Sequence, residues 1–105
     1  MTKYVEDIFQ ERLEKALSII YSYDFEYLRI GLFGSFARKD YNGNSDIDIA
    51  IVVNEKPDRK ISGSLRDDCE AIGVDVVFVT PEYLETDNSR FAIKLRRDWR
   101  ELNAK

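Results

Sequence analysis

Residues 30–53, IGLFGSFARKDYNGNSDIDIAIVV, constrain this chain more than any other stretch. Ile30, Leu32 and Phe33 form an apolar run that stops abruptly at Gly34-Ser35. After ten intervening residues come Asp46 and Asp48, set among Ile47, Ile49, Ala50, Ile51, Val52 and Val53. The pattern predicts a strand over residues 27–33, a Gly-Ser turn, and one or two helical turns over 35–39. Asp40, Asn42, Gly43, Asn44 and Ser45 are loop formers, and a second strand follows from about 46 to 53.

The rest of the chain supplies cover for those strands. Residues 3–23 place Val5, Ile8, Phe9, Leu13, Ala16, Leu17 and Ile20 at helical spacing, with charges on the other face. A polar loop with Pro57 precedes a helix expected over 61–72, where Ile61, Leu65, Cys69 and Ile72 share one side. Gly73 closes it, and residues 74–80 read as a third apolar strand broken only by Asp75. Pro81 opens a helical turn through Leu84. A last helix, capped by Asp87 or Asn88, is expected to carry Phe91, Leu95 and Leu102 on one side. Lys94, Arg96, Arg97 and Arg100 take the opposite side, with Trp99 available as a partner anchor. The order is α-β-β-α-β-α, an α+β sandwich whose strands, apolar on both faces, are covered by helices. One domain is expected to occupy residues 1–105.

Composition narrows the chemistry. There is no histidine among the 105 residues, which removes Ser-His and Cys-His nucleophile pairs and the usual zinc sites. Any metal must then be a hard one held by carboxylates. The formal net charge of −4 argues against a broad phosphate-backbone surface, so long nucleic acid is not the expected partner. No apolar run approaches the ~18 residues of a membrane helix. The charged start MTKYVEDIF is unlike a signal peptide, and the single Cys69 fits a reducing cytoplasm.

Within these limits the central stretch describes a site. Glycine lets the backbone approach a ligand closely, and the start of a helical turn offers N–H groups to an anion. The Ser35 hydroxyl adds a donor, and Arg38 and Lys39 add positive charge. Together these residues form a cradle for the outer phosphates of a nucleoside triphosphate. Asp46 and Asp48 are alternate residues of one strand, so their carboxylates leave the same face. Buried without a cation they would repel each other, and Asp75 repeats the pattern in the next strand. Two divalent ions would clamp the attacking and leaving oxygens of a phosphoryl displacement. Asp46 and Asp48 are assigned to both ions, and Asp75 to the one that activates an acceptor hydroxyl.

The segment GSFARKDYNGNSDIDIAIVV resembles the signature of the polymerase-β-like nucleotidyltransferases, most closely their minimal nucleotidyltransferase (MNT) group. The resemblance covers about residues 27–80. It carries over onto Gly34, Ser35, Asp46 and Asp48, with Asp75 as the third aspartate and Arg38 as the arginine that commonly follows Gly-Ser. Phe36 and Lys39 stand where relatives often have arginine and glycine. The resemblance implies a mixed sheet with flanking helices, two magnesium ions, and transfer of a nucleoside monophosphate, AMP from ATP, with release of pyrophosphate. It further implies a role as the antitoxin of a HEPN-type ribonuclease toxin, modified on a tyrosine. A homo-oligomer or a hetero-oligomer with the toxin is expected.

Two other functions fit parts of the pattern. A non-catalytic antitoxin would bind nucleotide and neutralise its partner by covering it, but would not need three carboxylates. A small-molecule nucleotidyltransferase of the aminoglycoside-modifying kind would need an acceptor-binding domain that about 105 residues do not house unless a dimer builds it.

Overall fold

The computed structural model describes residues 2–38 and 47–104. The elements run α1 (Thr2–Ser22), β1 (Arg29–Phe33), α2 (Gly34–Ala37), β2 (Ile47–Val52), α3 (Arg59–Glu70), β3 (Val74–Val79), α4 (Pro81–Thr86), α5 (Arg90–Asp98) and β4 (Arg100–Ala104). The strands form a mixed sheet in the order β3-β2-β1-β4. β1 pairs antiparallel with β2 and with β4, whereas β2 and β3 run parallel through the α3 crossover. The expected sandwich of helices on a small mixed sheet is borne out.

Strand alternation divides the core in two. Ile30, Leu32, Ile47, Ile49, Ile51, Val74 and Val76 face one way, where Phe9, Leu13, Ala16 and Ile20 of α1 and Leu65 and Cys69 of α3 cover them. Phe33, Ala50, Val52 and Val79 face the other way, against Leu84 of α4 and Leu95 of α5. Local chemistry sets the helix ends. Asp58 accepts from the Ile61 N–H at 3.0 Å to start α3, and Thr80 from Tyr83 N–H at 3.2 Å to start α4, where Pro81 sits in the first turn. Ser89, not Asp87 or Asn88, caps α5 by accepting from the Ala92 N–H. Arg96 and Arg97 in its last turn suit the negative end of the helix dipole.

The C-terminal expectation needs correction. The helix does not reach Leu102; it stops at Asp98, and residues 100–104 pair with β1 as β4. The reason is tertiary. Trp99 lies so close to Gly31 that a Cβ there would collide with its ring. The Arg29 guanidinium lies 4.9 Å from the Trp99 ring centroid, and the indole N–H donates to Glu101 at 3.1 Å. Trp99 is thereby a packing residue of the sheet rather than a free anchor. Leu102 joins the α1 side of the core through the strand.

Candidate active site

The site begins where β1 ends. Gly34 adopts a positive φ of 80°, a region that side-chain-bearing residues rarely enter. A Cβ at this position would also collide with Oδ2 of Asp48. Glycine is therefore required twice, by the turn and by the carboxylate lying against it. The chain then makes the single turn α2, anchored by Phe36 and Ala37 in the α1 side of the core. Phe36 meets Phe9 edge-on at 5.1 Å. Ser35 is left half-buried beside the glycine.

Asp48 and Asp75 are direct neighbours across the parallel β2–β3 pair. Such neighbours have backbones about 4.8 Å apart and side chains on one face. On its other side Asp48 is opposite Phe33, so Phe33, Asp48 and Asp75 make a row across the end of the sheet. Asp48 is half-buried and Asp75 exposed. Two like charges side by side on a sheet are unfavourable without a cation. Asp46 and Lys39 lie outside the described residues, as do the other residues from 39 to 46.

Arg38 is placed in a way the sequence reading did not include. Its Nη1 donates to Oδ2 of Asp98 at 2.7 Å, joining α2 to the end of α5. The Asp98 side chain is 1% exposed, against 36% for Arg38. Burial pushes the Asp98 carboxyl up, but hydrogen bonds from Arg97 and Arg38 outweigh it and hold the group below its ordinary value. A signal for Asp98 did exist. Ala92, Leu95 and Asp98 follow one another at three-residue spacing, which puts the aspartate on the buried face.

Two cavities lie away from this row. One of about 990 Å³, lined by Phe25, Tyr27, Leu28 and Pro57 among others, sits at the opposite end of β1 and β2. A second, of about 480 Å³, lies between α1 and Ile72. Neither is lined by Gly34, Asp48 or Asp75.

The match to known proteins agrees with the fold. The model of the nucleotidyltransferase domain family matches residues 11–100, which span every element from within α1 to the start of β4. The chain belongs to that family. A candidate protein adenylyltransferase of Methanocaldococcus jannaschii is 53% identical over 32 residues, 30% of this chain and 32% of the relative. The match thus spans about a third of that relative's length. Among solved structures, one chain of a toxin–antitoxin with AMP-PNP superposes with a TM-score of 0.64 at 22% identity, covering 88% of this chain and 73% of that one. A chain of the tri-AMPylated Shewanella oneidensis HEPN toxin in complex with MNT antitoxin gives 0.50 at 19%, covering 100% and 74%. At these identities the likeness of this nucleotidyltransferase domain to its neighbours is one of fold. Among the described residues, no helix is long and apolar enough to cross a membrane.

Proposed function

We propose that this nucleotidyltransferase domain moves AMP from ATP, with magnesium, to a hydroxyl of a partner protein. The partner is a HEPN-type toxin, the acceptor is a tyrosine, and the domain acts as its antitoxin in a reducing cytoplasm. The observation that carries this reading is Asp48 in register with Asp75, with Asp48 packed against Gly34. Support for the nucleotide comes from the neighbour crystallised with AMP-PNP. Support for adenylyl transfer and the partner comes from the AMPylated toxin and the adenylyltransferase relative.

The donor set suits a hard cation. Two carboxylates side by side, on strands otherwise apolar here, are costly until a divalent ion offsets their repulsion. Asp48 and Asp75, together with Asp46, would hold two magnesium ions. When bound, the ions stabilise charge on the transferred phosphoryl group and lower the pKa of the acceptor hydroxyl.

The chain's own residues do the rest. Gly34 keeps the space beside Asp48 clear, and the Ser35 hydroxyl donates to the outer phosphates. Arg38 is oriented by Asp98 and, with Lys39, balances the phosphate charge. The acceptor oxygen bonds to the α-phosphorus as the bond from that phosphorus to pyrophosphate breaks. Asp75, on the edge strand, receives the acceptor's proton.

The decisive experiment incubates the purified protein with magnesium and α-labelled ATP, with and without the product of the neighbouring gene. Label on the partner, absent when Asp75→Asn replaces the parent, is the expected result. A tight complex that forms without any label, from any triphosphate, would replace this reading with the non-catalytic antitoxin.

A further inference from the structure

The nucleotidyltransferase reading accounts for the phosphates and the acceptor but leaves the nucleobase without a contact. The row Phe33–Asp48–Asp75 continues beyond Phe33. The ring of Phe91, second residue of α5, meets the Phe33 ring at 5.6 Å and 84°, and lies 6.4 Å from Tyr83. Phe33 is buried, whereas Phe91 keeps 38% of its surface exposed. A large aromatic ring is thus presented to solvent on the same side of the sheet as the carboxylates, one side chain removed from Asp48. Its position is fixed by the α4–α5 corner. The Tyr83 hydroxyl and Ser89 Oγ lie 3.1 Å apart, the Ser89 N–H donates to Asp87, and Arg96 donates to the Leu84 carbonyl at 2.8 Å. Such cross-linking leaves a platform that does not need to be ordered when a ligand arrives.

Resting on the nucleotidyltransferase reading of the site, we infer that the Phe91 ring is the stacking platform for the base of the triphosphate. With the α-phosphate at Asp48 and Asp75, the ribose crosses the interval at Phe33 and the base lies on Phe91. Stacking on an aromatic face uses the π-surface that every base has, and does not read hydrogen-bonding edges. The platform therefore favours purines over pyrimidines by overlap area, and contributes equally to adenine and guanine.

The test titrates the full chain, with magnesium, against ATP, GTP, CTP and inorganic tripolyphosphate, and repeats this for Phe91→Leu and Phe91→Tyr. Leucine keeps the apolar packing on Phe33 but removes the ring. For Phe91→Leu, ATP and GTP affinities should fall about tenfold, CTP affinity less, and tripolyphosphate affinity not at all. Phe91→Tyr should bind all four like the parent. Undiminished ATP affinity in Phe91→Leu would overturn the inference, as would an equal loss for ATP and tripolyphosphate, which marks a merely structural residue. Failure of the parent to bind any of the four would remove the nucleotidyltransferase reading and this inference with it.

Discussion

The two faces of the sheet are built from the same strands and differ in what they give up. On the α1 and α3 side, every β2 residue from Ile47 through Ile49 and Ile51 is a fully buried aliphatic. On the α4 and α5 side, Ala50 and Val52 are buried just as deeply, but the end row is Asp48 with Asp75. Because side chains alternate, one residue separates a buried aliphatic of the core from a carboxylate of the candidate site. On the proposed function, stability and chemistry are therefore separable within β2.

Neighbouring substitutions sharpen that contrast. Asp48→Asn should reduce nucleotidyl transfer about a thousandfold, while its melting temperature in EDTA should stay close to the parent's. A large fall in melting temperature would mean that Asp48 holds the fold together and that the faces do not divide as described. Ile49→Ala, one residue on, should do the reverse. It should cost about 2–5 kcal/mol in denaturant unfolding, with nucleotide affinity per folded molecule unchanged. Altered affinity would show that the α1 face reaches the site.

A smaller effect tests the contact that ties α5 to α2. The Asp98 carboxyl is held below its ordinary value, because the hydrogen bonds from Arg97 and Arg38 prevail over burial. A folded-state value below the unfolded one gives stability that is present above the unfolded pKa and is lost as pH falls through the folded one. Asp98→Asn should thus be less stable than the parent by about 1–3 kcal/mol at pH 7, and the gap should narrow once pH drops below about 4. A gap that is constant from pH 7 to pH 3 would assign the loss to packing rather than charge.

Legibility in the sequence follows the range of the interactions involved. α1, β2, α3 and β3 were readable because their periodicities are local and their breakers, such as Gly73, sit at the ends. The placement of Gly34 against Asp48 was foreshadowed by glycine and aspartate at strand ends. The C-terminal strand was not readable. Arg100, Glu101 and Leu102 favour helix, and Leu95 with Leu102 keeps a helical repeat going. Only the distant partners Gly31 and Arg29, against which Trp99 packs, stop the helix. The Arg38–Asp98 pair was hidden for the same reason, since sixty residues separate its members.

The strand order has a consequence for how the molecule folds. β1 lies between β2 and β4, yet β4 follows it by some seventy residues. A partly folded chain can assemble α1, β1, β2, α3 and β3 while the β1 edge that receives β4 stays unpaired. An unpaired RIGLF edge is a template for pairing with another chain. That hazard ends when residues 100–104 pair with it. Removing residues 100–104 should therefore raise aggregation on refolding, read as light scattering.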